Sequence, residues 1–333
     1  MKKVRFFSSS STIFVTPASA NPILDAETQT FLDRISEAGI APAHLLSHET
    51  AQAHFDDIQR GCEPNVMNVE ERSVKFSSDK WVTIKIIRSP DSDSVIPAVI
   101  YLHGGGWVMG TCHSHGRFAR ELASGSGTAV IFVEYTTAEG VQFPVQNEQA
   151  YAALCYIVKH AASLGLDGNS IGVAGDGVGG NMAAALTIMC QRRKGPRLKI
   201  QLLLYPVLNA PDSTSSYREF AYGPWLTAEA MRYYIHRQFA AASIFDIEAL
   251  PGNATISDLS GLPPAFILTA QNDVLRDEGE SYALKLVQAG VDVTAVRYLG
   301  AIHGFLILNS LCDTATSRTA MIQICATLRY YLR

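Results

Sequence analysis

The chain has 333 residues, and 27 Lys plus Arg against 31 Asp plus Glu leave a formal charge of −4. That near-neutral balance argues against a nucleic-acid partner, which calls for a basic excess, and 47% hydrophobic with 17% charged residues is far from the make-up of disorder. No apolar run reaches the ~18 residues of a membrane helix, and the six cysteines, Cys62, Cys112, Cys155, Cys190, Cys312 and Cys325, show no CxxC or other metal-ligand spacing, so they read as free thiols with no metal or cofactor implied.

In chain order, residues 1–21 are expected to form an N-terminal extension or a signal peptide. Lys2, Lys3 and Arg5 precede an apolar stretch broken by Ser8, Ser9, Ser10 and Ser11, and Ala18-Ser19-Ala20 resembles a signal-peptidase site. A cytoplasmic location is expected, with export the alternative if that segment is cleaved; Asn253-Ala254-Thr255 would then be a glycan acceptor in a eukaryote. Residues 22–75 read as N-terminal cap helices, with Phe31, Leu32, Ile35 and Ile40 at helical spacing. Strands are predicted at 81–88, 95–102, 129–135, 170–174, 199–205, 265–270 and 291–298, and helices at 146–162, 181–192, 277–289 and 316–332. This alternation predicts the α/β class, with a mostly parallel sheet flanked by helices. Residues 208–260 break it and are rich in aromatics, so they read as a cap insertion in a core spanning 76–333.

Four stretches carry chemistry. His103-Gly104-Gly105-Gly106-Trp107 follows a predicted strand, where α/β sheets place ligands. Successive glycines leave backbone N–H groups unshielded, and two such groups can hold a developing oxyanion. Gly175-Asp176-Gly177-Val178-Gly179 lies between a predicted strand and helix, the setting of a G-x-S-x-G nucleophile elbow, but Gly177 stands where the serine belongs. Asp273 and His303 each follow a later predicted strand, in the elbow–acid–histidine order of α/β-hydrolases. The glycines 175, 177 and 180 also spell a dinucleotide fingerprint, but residues 194–210 hold no acidic residue to meet a ribose. Cys112, His113 and His115, just after the glycine run, read as an ordinary loop rather than a metal or nucleophile site.

These residues give the chain a resemblance to the hormone-sensitive-lipase-like, or bacterial type IV esterase, family of the α/β-hydrolase fold. It covers roughly residues 22–333 and rests on HGGGW, on GD-x-x-GGN-x-A ending at Asn181 and Ala183, on DVLRDEG and on HGF. It implies a helical cap and cofactor-free hydrolysis of short or medium acyl esters. Carried over by residue, the oxyanion donors would be the N–H groups of Gly104, Gly105 and Val178, the acid Asp273 and the base His303. Trp107, Asp176 and Trp225 are expected to line a pocket for a small carbonyl- or ester-bearing molecule, and a homodimer is allowed. The serine does not carry over. Tyr135-Thr136-Thr137-Ala138-Glu139-Gly140 also departs from the family's YRLAPE-like stretch, and Gly116 stands where an aspartate is common.

Three functions stay open. In the first, His303 and Asp273 act as a base in lyase, dehydratase or cyclase chemistry that needs no serine. In the second, the pocket is a receptor-like binding site. In the third, the protein is a carboxylesterase inactivated by a designed serine-to-glycine substitution. Retention of both Asp273 and His303 favours catalysis, because a receptor needs neither.

Overall fold

Continuous apolar runs such as IPAVIYL and AVIFVE form strands that are buried on both faces, as parallel sheets require. A computed structural model describes residues 22–61, 66–90, 92, 95–210 and 214–332. The expected extension or signal segment and Cys62 lie outside the described residues. Eight strands, β1 (Asn68–Ser77), β2 (Lys80–Arg88), β3 (Ile96–Leu102), β4 (Ala129–Glu134), β5 (Leu166–Asp176), β6 (Gln201–Leu204), β7 (Ala265–Asn272) and β8 (Val293–Ile302), form one sheet. Its order is β1-β2-β4-β3-β5-β6-β7-β8. β2 pairs antiparallel with β1 and β4, and every pair from β4 to β8 is parallel.

The helices are α1 (Ala26–Glu37), α2 (His48–Ile58), α3 (Gly116–Ser126), α4 (Val145–His160), α5 (Val178–Arg192), α6 (Ser215–Glu219), α7 (Ala228–Gln238), α8 (Ile256–Leu259), α9 (Arg276–Gln288) and α10 (Ala315–Leu332). The strand period of two divides the core. Ala98, Ile100 and Leu102 of β3 pack with α4, α5 and α9 on one face, and Val99 and Tyr101 pack with α3 and α10 on the other. Asp25 and Ser47 cap α1 and α2 by accepting from the backbone N–H of Thr28 and Thr50.

Two elements escaped sequence reading. β1 is an edge strand with only Val74 buried, so it shows no alternation, and it runs across the 75/76 boundary expected between cap and core. α3 opens on Gly116 and is interrupted by Gly125, which hides its buried stripe of Phe118, Ala119, Leu122 and Ala123. Among the described residues no helix is long and apolar enough to cross a membrane.

Candidate active site

The chemistry-bearing residues all sit just beyond the C-terminal ends of parallel strands of the one sheet. Gly104 follows β3, Gly177 follows β5, Asp273 follows β7 and His303 follows β8. Their spacing along the sequence is large, but the parallel register gathers them at one edge. His303 Nδ1 lies 2.8 Å from Asp273 Oδ2. A carboxylate can only accept, so Nδ1 carries the proton, and in the neutral imidazole the lone pair is on Nε2. The other carboxylate oxygen of Asp273 accepts from the N–H of Leu275 at 3.0 Å, and the residue is 1% exposed.

Gly177 joins β5 to α5 with φ 55° and ψ −115°. A residue with a β-carbon is strained there, whereas glycine is not. The turn is fixed by its neighbours: Gly177 N–H donates to Leu204 O at 2.9 Å, and its carbonyl accepts from Val207 at 3.0 Å. A β-carbon placed on Gly177 would lie 3.3 Å from His303 Nε2. The base therefore faces the elbow position directly.

A cavity of about 930 Å³ opens over these groups. Gly105, Gly106, Val178 and His303 form its floor, and α1, α2 and the 224–234 stretch supply its walls. Among the described residues, its lining includes Leu32, Ile35, Phe55, Trp225 and Met231, with His44 and His54, but no lysine or arginine. Among the described residues no group of three or more His, Cys, Asp or Glu could hold a metal.

The structure revises three sequence expectations. Trp107 is fully buried and packs edge-on against Phe239, 5.1 Å between ring centroids, so it is a core residue rather than a pocket wall. Gly104 N–H donates to Asp176 Oδ1 at 2.9 Å and is committed to that carboxylate. Asp176 borders the cavity, but it is 4% exposed and also accepts from Tyr101 O–H at 2.5 Å. Burial alone would raise its pKa, yet His115, with Nε2 3.7 Å away, and the Tyr101 hydroxyl together hold it below the usual carboxylate range. Trp225 does line the cavity. His115, read from sequence as a loop residue, is 1% exposed and borders the cavity beside Asp176.

Next to this pair, His103 is wholly buried, with its ring stacked 4.1 Å from that of Tyr135. Burial and then the neighbouring His115 push its pKa down to about 3. Nδ1 donates to Gly104 O at 2.8 Å.

Residues 99–307 match a family profile described as the alpha/beta hydrolase fold. The chain belongs to the alpha/beta hydrolase fold family. Within it, the chain is 34% identical to the carboxylesterase NlhH of Mycobacterium tuberculosis over 91% of its length and 95% of that protein's. It is 30% identical to the ethyl acetate hydrolase of Pseudomonas putida, over 91% and 97% of the two chains. The crystal structure of a thermostable esterase from Pseudomonas putida ECU1011 superposes on this hydrolase with a TM-score of 0.91 at 36% identity, covering 95% of this chain and 99% of that one.

Proposed function

We propose that this α/β hydrolase acts on neutral carboxylic esters, with His303 activating water because Gly177 stands at the nucleophile position. The observation that carries it is the His303–Asp273 pair aimed at an elbow whose backbone keeps φ 55° without a side chain. Formation of an acyl-enzyme at residue 177 is impossible without a nucleophilic atom. A water beside Gly177 would instead give its proton to His303 Nε2 as its oxygen bonds to the ester carbonyl carbon. The carbonyl electrons move onto oxygen, where the N–H groups of Gly105, Gly106 and Val178 are the proposed donors. Gly104 leaves this set because Asp176 takes its N–H. Collapse breaks the bond to the alcohol, and His303 returns its proton to the leaving oxygen.

Esters are favoured over the lyase, dehydratase or cyclase chemistry expected from sequence because relatives spanning nine-tenths of the chain are named as ester hydrolases. Neutral substrates are favoured because the described lining is largely apolar and offers an anion no lysine or arginine, while Asp33 and Asp176 border it. α1, α2 and the 214–260 stretch serve as the cap in this proposal.

The test is hydrolysis of p-nitrophenyl butyrate by the native chain, followed with a phosphonate ester that labels serine nucleophiles. Slow turnover that His303→Ala abolishes, with no pre-steady-state burst and no label at residue 177, is the expected result. Tight binding of butyrate esters with no turnover at any pH would instead establish the receptor-like alternative.

A further inference from the structure

Two glutamines of α2 and its end reach the loops that carry the site. Gln52 Oε1 accepts from the N–H of Gly110 at 2.9 Å, at the far end of the glycine loop. Gln59, the residue that ends α2, is 7% exposed and has its whole amide engaged. Its Nε2 donates to Ser114 O at 2.9 Å and to Ile307 O at 3.0 Å. Its Oε1 accepts from the N–H of Asn309 at 2.9 Å, and its own carbonyl accepts from the Asn309 side chain. Seven residues make nearly two helical turns, so positions 52 and 59 fall on one face within ~20°.

Both contacts are close to the chemistry in the chain. Ser114 precedes His115, which borders the cavity beside Asp176. Ile307 closes the turn that begins at Gly304, directly after His303, by donating to Gly304 O at 2.8 Å. Arg117 reinforces the same turn, with Nη2 3.1 Å from Ile307 O and Nε 2.7 Å from Asn309 Oδ1. α2 itself presents Ala51, His54, Phe55 and Ile58 to the cavity.

We propose that Gln52 and Gln59 are positioning residues that splint the glycine loop and the His303 turn to one helix of the cavity wall. The wall helix and the two loops then move as one body. This rests on the proposed use of His303 as a base. It also makes a claim of its own: a ligand that displaces α2 changes the aim of His303 over Gly177.

Gln59→Met keeps the side chain's length and removes all three polar contacts of the amide, leaving the backbone carbonyl's bond to Asn309; Gln52→Met severs only the Gly110 tie. Gln201→Met is the control for lost stability. Gln201 is fully buried at the opposite, N-terminal end of β6 and donates to Pro263 O at 3.0 Å. The readouts are the low-field NMR proton of His303 Nδ1, identified by its loss in Asp273→Asn, and ester hydrolysis. In Gln59→Met the resonance should broaden or vanish, and kcat should fall about tenfold or more while KM changes less than about threefold. Gln52→Met should lower kcat by a smaller factor and leave the resonance in place. An unchanged resonance and kcat in Gln59→Met would overturn the proposal, as would equal losses in Gln201→Met. If the native chain hydrolyses no ester, the water mechanism fails, while the resonance still decides whether Gln59 positions His303.

Discussion

His303 Nε2 lies 3.3 Å from the point where a β-carbon on Gly177 would sit, although 126 positions separate the two residues in sequence. The imidazole is thus aimed at a residue with nothing to deprotonate, while its other nitrogen is held by Asp273.

Gly177→Ser should turn this geometry into a covalent enzyme. We expect p-nitrophenyl butyrate hydrolysis to rise by about 10²-fold or more, with a burst and a phosphonate label at residue 177. The positive φ makes any β-carbon costly there, so Gly177→Ser and Gly177→Ala should each lose roughly 1–3 kcal/mol of stability by urea titration. Only the serine variant should gain activity. A serine variant that gains neither burst nor label would mean that the loops no longer form a working acyl site.

Asp273→Asn tests the proton inventory of the pair. An amide can donate to Nδ1 and favour the tautomer that leaves the proton on Nε2, removing the base without disturbing the packing. The slow native hydrolysis should fall by about 10²-fold or more while binding of a non-hydrolysable ketone analogue stays within about threefold.

Asp176→Ala should cost stability more than chemistry. It leaves the buried Tyr101 hydroxyl and the Gly104 N–H without their shared acceptor. Two unpaired buried donors predict a loss of about 2–5 kcal/mol in urea unfolding. Asp176→Asn keeps an acceptor oxygen and should lose less.

His103 predicts a stability slope in acid. Its folded pKa of about 3 lies below the ordinary imidazole value of 6.5, so unfolding takes up a proton between those two pH values. Stability should therefore fall as the pH is lowered from 6.5 towards about 3. Asp176, whose carboxyl is also held low, adds its loss only below the ordinary carboxylate range. His103→Phe should flatten the upper part of the urea-midpoint profile.

Substrate charge gives a separate check. A phenyl butyrate bearing a ring carboxylate should show kcat/KM at least about tenfold below that of the neutral ester, since no lysine or arginine among the described lining residues repays desolvation of the anion. Equal rates for the two esters would refute a charge-selecting pocket.

What could be read from sequence was what is contiguous in it. HGGGW, the glycine elbow, Asp273 and His303 each announce themselves locally, and the order of strands and helices places them on an α/β sheet. What stayed hidden depends on partners far away in the chain. The capture of Gly104 N–H by Asp176 spans 72 positions, and the Gln59 contacts span 55 to 250. Neither glutamine belongs to a motif, and an amide in an amphipathic helix ordinarily reads as a solvated side chain. Trp107 misled in the same way: its indole is buried edge-on against Phe239, 132 positions further along the chain.

The elbow is shaped by what surrounds residue 177. A β-carbon on Gly179 would strike Leu102 O at 1.9 Å, so helix and strand are pressed together whatever side chain the elbow carries. The fold acts here as a mould that sets the turn without help from a side chain at its tip. Because glycine is the residue most at ease in that mould, folding stability exerts no pressure to restore a hydroxyl. A serine at this position would therefore be kept by a demand for turnover and not by the stability of the fold.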